Sequence, residues 1–205
     1  KGENIPKYDY YSFLQSLPKY YYQRKKNLLG GHNNYIKKNK KIYNKWKNKF
    51  SQFSLPKIGI NWQGDENYKY DDFRSIPLKK FEILLDINGL EFISIHKGKG
   101  ENQIKEIKCI DKFHNFSSMI DNGKNSFEDT IEIIRNLDLV ITTCTSIAHL
   151  SSSIGIKTWI LLAYNSDWRW LTNVNSTPWY KNTLLFRQEK LNDWESVFEK
   201  VKRKL

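Results

Sequence analysis

Leu139-Val140-Ile141-Thr142-Thr143-Cys144-Thr145-Ser146-Ile147-Ala148-His149-Leu150 is the stretch that decides how this chain reads. Residues 139–143 make a short apolar, β-branched run of the length of a buried strand. Residues 145–154 then read as a helix, and Gly155 is its natural C-cap. Hydroxyl side chains thus stand where a strand enters a helix. Free backbone N–H groups and the helix dipole make that point a ready anion site. Thr145 and Ser146 add side-chain donors suited to a diphosphate, and His149, one turn into the helix, could face the same cleft. The plainer reading is that Thr145 only caps the helix and His149 packs on a neighbour; the residues alone leave both open. A Cys144–His149 nucleophile is disfavoured, because no third orienting group is evident and residue 144 should be partly buried.

Outward from this stretch, strands alternate with helices. Strands are expected at 57–62, 91–96, 107–110, 139–143, 158–163 and 183–186. Helices are expected at 78–87 after Pro77, at 127–137, at 145–154 and at 194–205. Ser126 is the expected N-cap of the second of these, with Asp129 completing an approximate capping box; Asn192 or Asp193 caps the last. The alternation predicts an α/β fold: a Rossmann-like, doubly wound parallel sheet covered on both faces. Ligands of such sheets bind outside the carboxyl ends of the strands.

The loops at those ends supply the other candidates. Gln63-Gly64-Asp65 follows the first strand, and Gly64 suits close backbone approach to a ligand. Arg74, just before a helix, could hold a phosphate bidentately or serve in an ordinary salt bridge. His96-Lys97-Gly98-Lys99-Gly100 follows the second strand; it suits an anion or a plain turn, and it is not a Walker loop. Asp167-Trp168-Arg169-Trp170 and Pro178-Trp179-Tyr180 follow the 158–163 strand. Dense Trp in a loop more often packs the loop on its own domain than binds a ring. His32, His96, His114 and His149 share no zinc-like spacing, and the adjacent Asp71-Asp72 points two carboxylates apart, so no metal site is legible.

Composition sets the outer bounds. The 205 residues are 39% hydrophobic and 15% aromatic, enough for a real core, and 27% charged, too few for a disordered polyelectrolyte. No apolar run approaches the ~20 residues that cross a bilayer. No amino-terminal pattern suggests a secretion signal. Two cysteines make neither a disulfide framework nor a Cys-rich zinc site, and a reducing cytoplasm is the default expectation. The net charge of +12 is lopsided: residues 1–54 hold 13 Lys+Arg against 2 acids, the remainder 21 against 20. Abundant Lys, Asn, Ile and Tyr also fit an AT-rich coding sequence, so the excess is explained either by composition or by a functional basic patch. Within 1–54, residues 8–14 are β-capable before Pro18 breaks them, and Gly30-Gly31 marks a turn. Tyr35, Ile36, Ile42, Tyr43, Trp46 and Phe50 form an aromatic stripe at helical spacing across 34–50. Its lysines are most simply a solvated face, with polyanion binding the alternative.

The order of these pieces resembles a known family. Ile58-Gly59-Ile60-Asn61-Trp62-Gln63-Gly64 is followed by Arg74-Ser75-Ile76-Pro77-Leu78 and Ser94-Ile95-His96-Lys97-Gly98. Asp129-Thr130, Asn136-Leu137-Asp138-Leu139-Val140-Ile141, Thr145-Ser146-Ile147-Ala148-His149-Leu150 and Asp167-Trp168-Arg169-Trp170 come next. Pro178-Trp179-Tyr180 and Leu185-Phe186-Arg187-Gln188 end the series. Together they resemble the glycosyltransferase region of bacterial tetratricopeptide-repeat proteins, which is similar to heptosyltransferases and more distantly to O-GlcNAc transferases. The resemblance covers nearly the whole chain; the ordered set is specific where no single piece is.

The resemblance implies a GT-B fold of two Rossmann-like lobes, with residues 1–54 the end of the amino-terminal lobe and a linker helix, and 55–205 the nucleotide-sugar-binding lobe. It implies hexosyl, heptosyl or N-acetylglucosaminyl transfer with inversion, needing no metal or other cofactor. By position, Gln63, Gly64, Arg74, Lys97, Thr145, Ser146 and His149 would hold the donor, with Asp129, Cys144, Asp167, Trp168 and Arg169 lining the cleft; no catalytic residue is assigned. Cys144 stands where many relatives have Asp. The acceptor lobe and its general base are expected to be missing, which suggests a fragment or a degenerate partner. The expected partners are a nucleotide-sugar, a saccharide or protein acceptor, the missing lobe and a peripheral membrane surface. The alternative is a non-catalytic nucleotide-sugar-binding or protein-interaction module. No nucleic-acid motif supports a third reading, in which the basic stretch 24–49 binds DNA or RNA.

Overall fold

The computed structural model describes residues 6–24, 34–108, 111–123 and 126–205, without the side chains of 21–24. Its centre is one sheet of seven strands: β1 (Lys57–Asn61), β2 (Glu91–Ser94), β3 (Phe113–Asn115), β4 (Leu139–Thr143), β5 (Thr158–Leu162), β6 (Ser176–Thr177) and β7 (Tyr180–Arg187). The spatial order is β3-β2-β1-β4-β5-β7-β6, all parallel except β6. Strand order reverses between β1 and β4, and that reversal leaves a crevice at their carboxyl ends.

Both faces of the sheet are apolar because alternate residues of the same strands are. Ile58, Ile60, Leu139, Ile141, Trp159 and Leu161 face one layer; Val140, Ile160 and Leu162 face the other. The first layer is completed by a 3₁₀ turn (Leu78–Phe81) running into α4 (Glu82–Leu85), and by α7 (Trp194–Lys204). The second is covered by α2 (Lys40–Phe50), α5 (Glu128–Ile134) and α6 (Ser146–Ser153). The elements α1 (Leu17–Arg24) and α3 (Asp71–Arg74) precede and follow β1. Among the described residues no helix is long and apolar enough to cross a membrane.

Several expectations need correction. The third strand is β3; residues 107–108 form no strand, and 109–110 lie outside the described residues. Ile107 is apolar because it plugs the core from a loop. Residues 8–14 form no strand, with Tyr10 and Tyr11 largely exposed, and Pro18 sits in the first turn of α1, where a missing N–H costs nothing. The Gly30-Gly31 turn and His32 lie outside the described residues. The stripe helix begins at Lys40, capped by Asn39 Oδ1, which accepts from Ile42 N at 3.3 Å. Its Trp46 and Phe50 are buried, and Trp46 Nε1 donates to Asp129 Oδ1 at 2.6 Å. Ser126 does not cap α5. Asp121 does so from a distance, accepting from Asp129 N at 2.7 Å and Thr130 Oγ1 at 2.5 Å, while Asp129 Oδ2 accepts from Asp121 N at 3.1 Å. Asp193 caps α7, accepting from Ser196 N at 3.1 Å.

Candidate functional site

A cavity of about 670 Å³ opens at the β1/β4 crevice. Its walls come from the end of β1 and the loop after it (Asn61, Gln63, Gly64), the loop after β2 (His96, Lys97, Lys99), the β4–α6 turn (Thr145, Ser146), the loop before α5 (Asp121) and the first turn of α5 (Thr130). Its polar floor is Asn61, only 3% exposed. Asn61 Nδ2 donates to Thr145 Oγ1 at 3.1 Å, Thr142 Oγ1 at 3.3 Å and the Gln63 carbonyl at 3.3 Å. Asn61 Oδ1 lies 3.1 Å from His96 Nδ1, and His96 Nε2 lies 2.7 Å from the Lys99 carbonyl. Burial pushes the His96 pKa below the ordinary imidazole value, against the opposing pull of Lys99 O, Glu101 and Asp71.

The helix end is the second feature. Thr145 is the N-cap of α6 in extended conformation, yet its side chain takes no amide of the helix. Its hydroxyl is turned to Asn61 instead. The positive end of α6 therefore meets the cavity without a side-chain cap.

Arg74 is the third. Nε pairs with Asp71 Oδ1 at 2.8 Å and Nη1 donates to the Cys144 carbonyl at 3.0 Å, tying the loop after β1 to the β4–α6 turn. Asp71 is 4% exposed; it also accepts from Ser75 Oγ at 2.6 Å, and Ser75 Oγ in turn accepts from Gly64 N at 3.0 Å. Gly64 is glycine because a Cβ there would run into Asp71 Oδ1 and sit 2.5 Å from Arg74 Nη2. The close approach expected of this glycine is thus to an ion pair of the protein itself. Lys97 donates to the Ile120 carbonyl and to Asn122 Oδ1, and Lys99 pairs with Glu66.

This architecture has solved counterparts. The chain aligns with E. coli ADP-heptose lps heptosyltransferase II at 12% identity and a TM-score of 0.56, covering 82% of this chain and 53% of that one. The likeness is one of fold: a mostly parallel α/β sheet that matches about half of a glycosyltransferase structure. The glycosyltransferase family 9 protein of Veillonella parvula DSM 2008 aligns at 13% identity, TM-score 0.53, covering 81% and 46%. E. coli heptosyltransferase WaaC, solved with ADP, aligns at 14% identity, TM-score 0.50, covering 78% and 48%. The chain spans about half the length of these structures. No protein-family model and no curated protein matches the sequence.

Six of the seven expected donor residues line the β1/β4 crevice: Gln63, Gly64, Arg74, Lys97, Thr145 and Ser146. His149 does not. Its ring stacks on Trp170 at 5.0 Å and 20°, and Nδ1 lies 3.0 Å from Tyr180 Oη. Burial, aided by Arg169, holds its pKa below the ordinary value. Asp129 is likewise absent from the lining, because its carboxylate is spent on Trp46, Lys45 and the Asp121 amide. Cys144 and Asp167 line a neighbouring cavity, separated from the first by Arg74. The Cys144 thiol accepts from Trp170 Nε1 at 3.0 Å, and burial raises its pKa, so it is no thiolate nucleophile. Arg169 Nη1 pairs with both Asp167 oxygens at 2.9 and 2.8 Å; Trp168 packs edge-on against Trp179. Neither Trp168 nor Arg169 lines either cavity.

The residue reading missed Asn61, His96 and Asp71. Asn61 carries a usable signal, a polar side chain closing an otherwise apolar strand. His96 stands at a strand end in a loop already singled out, but its bond to Asn61, 35 residues away, has no local signal. Asp71 carries none, because its burial between Arg74 and Ser75 depends on how the loop folds back.

Proposed function

We propose that this chain is the donor-binding lobe of a heptosyltransferase-like glycosyltransferase that inverts the anomeric centre without a metal. The observation that carries the reading is the α6 terminus. Its amides, free of the Thr145 hydroxyl, open on a cavity that also holds Arg74 and Lys97. A nucleoside diphosphate placed there has its charge met by helix N–H groups, a guanidinium and an ammonium. As the sugar–oxygen bond breaks, negative charge grows on the leaving diphosphate, and these preset donors stabilise it. Acceptor and general base would come from a second lobe. The fold neighbours support this reading, one of them solved with ADP.

Calorimetry or ligand-detected NMR with nucleoside diphosphates and their sugars tests it. Weak binding, lowered about tenfold by Arg74→Ala, is the expected result. Silence across the panel overturns it. One feature favours a non-catalytic nucleotide-sugar module instead: Cys144, where the resemblance places an acid, is buried with its thiol on Trp170. Binding without turnover, when an acceptor lobe of the heptosyltransferase type is supplied, would select that second reading.

A further inference from the structure

Beside the crevice, on the far side of Arg74, lies a second cavity of about 430 Å³. This is within the ~300–1,000 Å³ range of small-molecule pockets. One wall is aromatic: Tyr68, Tyr70 and Phe73 are each about half exposed. They touch one another, Tyr68–Tyr70 at 5.8 Å and 75° and Tyr70–Phe73 at 6.4 Å and 46°. Arg74 lies over Tyr68 at 4.5 Å and Lys69 Nζ over Tyr70 at 5.4 Å, while all three rings stay about half exposed to solvent. The opposite wall is polar, with Asn165, Ser166 and Asp167 from the loop after β5. Among the described residues the Asn165 side chain makes no hydrogen bond. Asp167 keeps spare acceptor capacity beyond its pair with Arg169.

Three contiguous half-exposed aromatic rings are costly to leave in water. A purely apolar partner would strand the facing amide and carboxylate without hydrogen bonds. One common chemistry satisfies both walls. A pyranose ring has a face of C–H groups, which packs on the electron-rich face of an aromatic ring, and an edge of vicinal hydroxyls, which planar amides and carboxylates bridge. We infer that the Tyr70–Phe73 face and the Asn165–Asp167 loop form a pyranose subsite, sharing Arg74 with the crevice. The inference rests on the nucleotide-sugar reading for its link to the diphosphate, whereas the recognition chemistry stands on this cavity alone. The ring is either the sugar of the donor itself or that of a free saccharide.

Wild type and the double variant Tyr70→Ala/Phe73→Ala are compared by calorimetry and saturation-transfer NMR, with circular dichroism to check folding. Both rings are exposed, so the core stays intact; Asn165→Ala provides a second, milder variant. The probes are ADP, UDP and GDP, their hexose and N-acetylhexosamine conjugates, and free methyl glycosides and oligosaccharides. If the donor's sugar is the occupant, one conjugate binds about five- to tenfold more tightly than its own diphosphate. The double variant removes that gain and leaves diphosphate affinity unchanged. If a free saccharide is the occupant, saturation transfer reaches its ring protons and vanishes in the variant. The subsite is overturned if diphosphates bind, yet no conjugate gains and no free saccharide binds, or if gains survive both variants. Should no diphosphate and no conjugate bind, the donor-lobe reading fails, and the free-saccharide arm alone decides the subsite.

Discussion

The β1/β4 crevice and the Trp170 cluster sit on the same edge of one sheet, and both are built from loops rich in Arg, His and aromatic or hydroxyl residues. They solve opposite problems. At the crevice, polar groups bond one another: Asn61 to Thr145 and Arg74 to the Cys144 carbonyl across chain-distant loops, and Gly64 through Ser75 to Asp71 within the segment after β1. The result is a rigid rim around open space. At the cluster, Trp170 stacks on His149, bonds Cys144 and lies near Tyr180, leaving no space. His149 and Thr145 are four residues apart on one short segment, yet belong to different regions. A helix turns by about 100° per residue, so a residue one turn in shares a face with the cap only roughly. The aromatic surface on its own side then claims the imidazole.

The sharpest way to break this contrast is Trp170→Ala. The side chain is fully buried. Its loss should cost about 4 kcal/mol in denaturant unfolding, while any diphosphate affinity that survives at permissive temperature stays close to wild type. A fully stable variant would show that the cluster is not the packing element described. Gly64→Ala should come next, at about 1–3 kcal/mol, because the new methyl must displace the Asp71–Arg74 pair. Unlike Trp170→Ala it should also weaken diphosphate binding. Equal effects of the two substitutions on binding would merge the two regions.

The pH response separates them more finely. His96 and His149 both titrate below the ordinary value of 6.5, chiefly through burial. The unfolded chain therefore takes up protons first as pH falls. The stabilisation is whole above about pH 6.5 and is lost as the pH drops towards the folded-state values. Melting temperature should decline across that window, and His96→Gln should flatten part of the decline. A flat profile in the wild type would contradict the burial of both rings. The smallest expected effect is on binding by His149→Phe, which keeps the stack on Trp170. Diphosphate affinity should be unchanged; a loss matching that of Arg74→Ala would return His149 to the crevice.

The first and fourth strands, the α6 segment with its Gly155 terminus (φ 83°) and the terminal helix are legible in the residues themselves. Each is a local signal: a β-branched run, a helical period, a glycine after the last turn. The edge strand was not legible, because Phe113–Asn115 is too short to carry a period and Ile107 imitates one. The cap of α5 was not legible either. Ser126 has the right residue type but stands one residue before the N-cap, Phe127, and Asp121 reaches the first-turn amides from a loop with a full negative charge. Five of the six donor candidates that converge lie within three residues of a strand end, where a parallel sheet brings loops together whatever their detail; Arg74, in α3, is brought back by Asp71 and the Cys144 carbonyl.

Periodicity along the chain was therefore enough to determine a doubly covered parallel sheet and the edge at which its loops gather. Only the tertiary structure decided which side chains on that edge face open space. That choice depends on partners tens of residues away: the Cys144 carbonyl taking Arg74, and Trp170 taking His149. Strand and helix formation are local events, whereas the direction of a polar side chain is set by whichever distant group satisfies its hydrogen bonds or covers its ring.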